Sequence, residues 1–238
     1  MPLYYYDWTM ILVIPGLLLG LYAQFKVKST FDRYSRVRTK SGLTAEAAAR
    51  MLLSRGGSTN VTISRVNGSL TDHYDPRTNV IRLSDGVYDN TSTAAIGVAC
   101  HEAGHAVQYA ESYAPIKLRA AIIPVTNIGS KLAMPLILIG LLLSYAADVS
   151  YFFVYLGIAC FGLSLVFQLV TLPVEFNASH RALVAIDEGG LLTEEEQKGA
   201  KKTLTAAALT YVAATATALA QLLRLLVIFG GNGRRRRD

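Results

Sequence analysis

The sequence predicts a mainly α, multi-pass membrane protein with a small α/β domain set between its first and its later apolar segments. Three observations carry that expectation. Apolar residues make up 52% of the 238 positions and charged residues only 17%, well short of the usual charged share of about 25%. Long apolar runs recur at 8–23, 132–147, 149–172 and 206–229. The polar stretch after the first run changes from helical to alternating periodicity and back again. The formal net charge of +6 is clustered rather than spread. Lys26, Lys28, Arg33, Arg36, Arg38 and Lys40 follow the first apolar run, and Arg234 to Arg237 close the chain. Clusters that flank apolar runs suit anionic lipid headgroups, and no nucleic-acid motif accompanies them.

The expected divisions are a transmembrane anchor at 1–23, a catalytic-type domain at 24–131, a transmembrane hairpin at 132–172, a second polar segment at 173–205, and a fourth apolar helix with a basic tail at 206–238. The run at 8–23 contains Pro15, is preceded by Asp7 and has no Lys or Arg before it, so it reads as an anchor with its N-terminus outside. The basic residues behind it place 24–131 in the cytoplasm. Within that domain Thr44–Ser54 reads as a short helix ended by Gly56-Gly57. Val61–Val66 alternates as a strand, and Asn67-Gly68 signals a turn. A second strand covers Asn79–Leu83 after the turn at Asp75-Pro76. Its role is open between an ordinary internal strand and an edge that pairs with extended substrate. Thr91 or Ser92 caps a helix running to about Ala110, whose small residues Ala95, Ala99, Ala103 and Ala106 allow close packing.

The runs at 132–147 and 149–172 are separated by Asp148; the first spans only if it begins earlier, near Ile122. Residues 173–205 turn polar again, and Glu194, Glu195 and Glu196 open a helix after Thr193. The last run, 206–229, contains Gln221 and Arg224. Cys100 and Cys160 lie too far apart in this topology for a disulfide, which fits a reducing compartment.

The chemistry lies in His101-Glu102-Ala103-Gly104-His105. Positions i and i+4 of a helix differ by about 40° of rotation, so both imidazoles reach one point beside it. Glu102 can then face a metal-activated water without displacing a ligand, the arrangement of HExxH zinc sites. Chance supplies such a pentad in roughly one chain in a hundred of this length. Gly104 costs about 1 kcal/mol of helix propensity relative to Ala, which points to tight packing or the close approach of another backbone. A third protein ligand is required. Position 111 is Glu and position 108 is Gln, so no short-spaced histidine supplies it. The remaining donors are His73, His180, Glu111, Asp148, Glu175, Asp187, Glu188 and Glu194–Glu196. Glu175 is the leading candidate, at the point where a transmembrane run gives way to a polar helix. The hairpin returns the chain to the side of His101 and so permits the contact, and the choice rests mostly on the resemblance given next.

His101–Gln108 (HEAGHAVQ), the segment from Thr71-Asp72-His73-Tyr74-Asp75-Pro76 to Leu83-Ser84, and Leu172-Pro173-Val174-Glu175-Phe176-Asn177-Ala178-Ser179 together resemble the YugP-type neutral zinc metallopeptidases of bacterial membranes. The resemblance covers nearly the whole chain. It implies a zincin-like catalytic domain, a Zn²⁺ cofactor, His101, His105 and Glu175 as ligands and Glu102 as base. More remotely the chain is similar to HtpX-type membrane proteases, which carry an acidic residue four positions after the ligating Glu. Here Ser179 stands at that position, and Asn177 or Asp187 is left to orient a ligating histidine. Candidates for the oxyanion donor are His180, Arg181, His73 and Tyr74, with His180 the leading choice.

The implied activity is a membrane-bound, zinc-dependent endopeptidase cutting near the membrane surface. Its expected partners are the lipid bilayer and membrane-associated protein or peptide substrates. The sequence leaves open a regulatory membrane partner or a homo-oligomer. An alternative is a weak or non-enzymatic membrane scaffold that retains the zinc site. An intramembrane protease is disfavoured, because the polar flanks 84–93 and 108–119 leave too short an apolar stretch around the motif. A di-iron oxidase needs more than four histidines. Four crossings would put both termini outside, whereas Arg234–Arg237 favours the inside.

Overall fold

The structure is a computed structural model that describes residues 7–143 and 147–230. The basic tail at Arg234–Arg237 lies outside the described residues, as do 144–146, and Asp148, the expected break, falls within helix at the start of Ala147–Glu188. After a 3-10 turn at Trp8–Leu12 the elements run α1 (Ile14–Tyr34), α2 (Ala45–Arg55), β1 (Thr62–Val66), β2 (His73–Asp75), β3 (Val80–Ser84), α3 (Thr93–Ala110), α4 (Ala114–Leu142), α5 (Ala147–Glu188) and α6 (Glu194–Gly230). They form two compact units. A helical unit comprises residues 7–22, 118–171 and 211–230, and a mixed unit comprises residues 23–117 and 172–210.

Among the described residues three helices are long and apolar enough to cross a bilayer: Ala114–Leu142, Val149–Glu188 and Glu194–Gly230. At most 22% of the most apolar window of each is buried by the rest of the protein. The apolar surface left over suits lipid and would be unstable in water. This is a membrane protein. The N-terminal helix is not among the three, since its apolar face reaches Lys26 and Lys28 soon after Phe25.

These helices are longer than the sequence divisions implied. The helix α5 runs unbroken for 42 residues through Pro173, about 63 Å, roughly twice a bilayer core. The expected boundary between span and polar segment at 172/173 is therefore a change of surface within one helix. The helix α6 likewise carries a polar start and an apolar end within one continuous helix. Its first turn is set by a capping box, in which Glu196 Oε2 accepts from Thr193 N at 2.9 Å and Thr193 Oγ1 from Glu196 N at 3.4 Å. The other Glu196 oxygen accepts from Lys40 N at 2.8 Å, tying the loop after α1 to α6.

The mixed unit holds the main core. Ala48, Leu52, Ile63, Ile81, Leu83, Ile96, Ala99, Ala103, Ala182 and Ile186 belong to one buried cluster. The helix α2 starts where expected, with Thr44 Oγ1 accepting from Ala47 N. The sheet has the order β1-β3-β2, with β1 parallel and β2 antiparallel to β3. So the Asn79–Leu83 segment is not an edge: hydrogen bonding on both sides of β3 makes it the central strand. The two edges are β1 and β2, and β2 is a three-residue strand in a segment that the sequence presented as a turn.

Candidate metal centre

The helix α3 begins at Ser92, whose Oγ accepts from Ala95 N at 3.3 Å. Its small residues let it sink into the core: Ala95, Ala99 and Ala103 are fully buried. The closest approach is at Gly104. A Cβ there would lie 2.8 Å from the Ala178 carbonyl oxygen of α5, so the two backbones meet where only glycine fits. That explains the helix-weakening residue inside the motif. It also brings Glu175, about one turn before Ala178, beside the two histidines.

Glu175 Oε2 lies 3.3 Å from His101 Nε2 and 3.5 Å from His105 Nε2. The two rings meet edge to face with centroids 4.7 Å apart. One donor atom from each of the three residues falls within 4.8 Å of the others. Side-chain exposure is 14% at His101, 11% at His105 and 3% at Glu175, so the cluster is nearly dry but reachable. Glu102, at 9% exposure, is buried on the same helix. Burial pushes the His105 pKa down, yet its hydrogen bond to Glu175 and the charges of Glu102 and Glu175 outweigh that and raise it.

The distal nitrogens are held as well. His101 Nδ1 lies 3.0 Å from Ser179 Oγ, and His105 Nδ1 lies 3.0 Å from Gln108 Oε1. Ser179, one turn after Glu175, therefore holds the distal nitrogen of His101. Asn177 and Asp187 do not contact either histidine in the hydrogen bonds described. Asn177 Oδ1 accepts from Gln108 Nε2 and Arg181 Nε, and Asp187 Oδ1 accepts from Gln197 Nε2. Gln108 and Ser179 are the site residues that sequence reasoning missed. The only signal was their spacing, three residues after His105 and four after Glu175.

The proposed oxyanion donors are placed elsewhere or engaged. His180 is exposed, and five residues past Glu175 puts it about 140° around α5 from that carboxylate. Arg181 pairs with Glu111 at 2.7 Å. Tyr74 donates its hydroxyl to Asn79 Oδ1 at 2.7 Å, and His73 Nδ1 sits 2.8 Å from the Thr71 carbonyl.

The comparisons with known proteins now decide the family. A family model described as "Putative neutral zinc metallopeptidase" matches residues 9–230. The chain belongs to that family. It is also 48% identical over 218 residues, 92% of this chain and 95% of the relative, to "Putative membrane protease YugP" of Bacillus subtilis (strain 168). No solved structure matches the chain. Zinc is thus the cofactor that membership of the neutral zinc metallopeptidases implies, and the residues present fit it. Two imidazole nitrogens and one carboxylate oxygen converge, the three-ligand set that leaves a zinc position open for water or substrate.

Proposed function

We propose that this neutral zinc metallopeptidase is a membrane-bound endopeptidase that hydrolyses peptide bonds near the membrane surface. His101, His105 and Glu175 hold the zinc and Glu102 is the general base. The observation that carries the reading is the convergence of Glu175 on both histidines from a helix 70 residues further along the chain than His105, beside an intact and buried Glu102.

Zinc bound there supplies Lewis acidity toward a water and toward the scissile carbonyl. The protein's own groups do the rest. Ser179 and Gln108 hold the rings of His101 and His105. Glu102, one residue past His101, takes the water's proton on its carboxylate and returns it to the leaving amine. The low exposure of the site keeps bulk water from competing. Extended substrate adds to the free edge of β2, where Tyr74 packs against Tyr109 with ring centroids 5.6 Å apart. Tyr109 lies about one turn past His105, on the side of α3 that carries both histidines.

Membrane-associated proteins and peptides are the fitting substrates for such a site. Lys26, Lys28, Arg33, Arg36, Arg38 and Lys40 are all exposed, which supports a cytoplasmic position for the catalytic part. The first test is Glu102→Gln. Zinc stays bound while peptide cleavage falls by about 10²–10⁴-fold. Cleavage at wild-type rate by this variant would remove Glu102 from the mechanism, and would leave the scaffold reading to be judged by wild-type activity alone.

A further inference from the structure

Gln108 is fully buried and contacts three groups at once. Its Nε2 lies 2.9 Å from the Val174 carbonyl oxygen and 2.9 Å from Asn177 Oδ1, and its Oε1 faces His105 Nδ1 at 3.0 Å. The orientation of this amide follows from its partners. A backbone carbonyl only accepts, so the nitrogen of Gln108 must face Val174. Asn177 presents its oxygen there because that oxygen also accepts from Arg181 Nε at 2.8 Å. Arg181 is fixed in turn by Glu111 at 2.7 Å. The oxygen of Gln108 is therefore left for His105, whose Nδ1 has to carry a hydrogen to donate to it. The lone pair of the neutral ring then sits on Nε2, the atom that faces Glu175.

The two nitrogen contacts of Gln108 have a second consequence. Val174 and Asn177 flank Glu175 on α5, one residue before it and two after. One buried side chain thus fixes the ring of one zinc ligand and the turn that bears another. His101 has no equivalent lock: its partner Ser179 is a hydroxyl that can donate or accept, and so does not dictate a tautomer.

We propose that Gln108 is the positioning residue of the zinc centre: it holds His105 in the Nδ1–H tautomer and clamps the Glu175 turn of α5 to the HEAGH helix. The proposal rests on the zinc reading above. Zinc affinity of the full-length protein in detergent tests it, by competition with a chromophoric chelator, together with the visible spectrum of the cobalt-substituted protein. Gln108→Met, which removes acceptor and donors alike, weakens zinc binding about 10- to 100-fold and alters the cobalt spectrum. Equal affinity in Gln108→Met and wild type would overturn the proposal. Should Gln108→Met fail to fold, ring-¹⁵N histidine spectra of zinc-free wild type, at a pH where the ring is neutral, still decide. The proposal requires hydrogen on His105 Nδ1, and hydrogen on Nε2 refutes it. Wild-type protein that binds no zinc would defeat the zinc reading itself, a result distinct from any failure of Gln108.

Discussion

The two units of this chain solve the same packing problem in opposite ways. The mixed unit buries its apolar residues in one continuous cluster and puts charge outside. The helical unit gathers only a small cluster, Ile137, Val154, Ile158 and Leu225, and leaves large apolar side chains in the open: Leu142 is 78% exposed and Phe152 is 63% exposed. In water such a surface would drive aggregation, whereas in hydrocarbon it costs nothing. Both units use glycine at helix contacts, but for different ends. In the helical unit a Cβ at Gly157 would lie 2.8 Å from the Ala133 carbonyl oxygen, and one at Gly140 would lie 2.8 Å from that of Ser150. Close approach of backbones is what holds helices together where the hydrophobic effect between them is absent. In the mixed unit the corresponding contact, Gly104 on Ala178, sets Glu175 beside the two histidines. The difference teaches that the first set of contacts serves span packing and the second serves chemistry.

A paired substitution breaks or sharpens that contrast most strongly. Gly104→Val forces α3 away from α5 at a backbone contact that cannot yield, and costs about 1–3 kcal/mol of stability by overpacking. Zinc content then falls well below one ion per chain. Gly157→Leu overpacks the helical unit by a comparable amount and lowers the thermal midpoint in detergent, but leaves zinc content at wild-type level. Metal analysis beside thermal unfolding of both variants separates the two roles. Equal zinc loss in both would merge them.

A smaller effect concerns pH. In the metal-free protein His105 has a raised pKa, chiefly because its bond to Glu175 and the charge of Glu102 overcome burial. A raised histidine contributes stability that is fully present below its unfolded value of about 6.5 and is lost as pH rises through the folded value. Zinc must displace that proton from Nε2. The gain in thermal midpoint on adding zinc therefore grows as pH is raised through and above 6.5. A gain that is constant or shrinks over that range would show that the His105 proton does not compete with metal.

Much of this was legible in the sequence where local pattern decides. The caps at Thr44 and Ser92, the strands at Val61–Val66 and Asn79–Leu83 and the HExxH pentad follow from short-range rules, and the caps and strands stand within about a residue or two of their expected places; the apolar runs mark the long helices but not their ends. The misreadings came where distance in the chain decides. His73–Asp75 shows no alternation long enough to mark a strand, and becomes one only because β3 offers a ladder. Asn79–Leu83 was identified as a strand, but its central place depends on β1 and β2. Gln108 and Ser179 carried no signal beyond their spacing from His105 and Glu175, because contacts across the α3–α5 crossing complete their roles. The exposure of His180 follows from its angular position on α5, which the sequence presented only as nearness to Glu175.

The account stands on zinc held by His101, His105 and Glu175. Elemental analysis of purified full-length protein, wild type against Glu175→Gln, tests that claim most directly. About one zinc per wild-type chain and markedly less in Glu175→Gln, with both proteins equally helical by circular dichroism, is the predicted result. Wild-type protein without zinc after incubation with the metal, or full retention of zinc by Glu175→Gln, would contradict it.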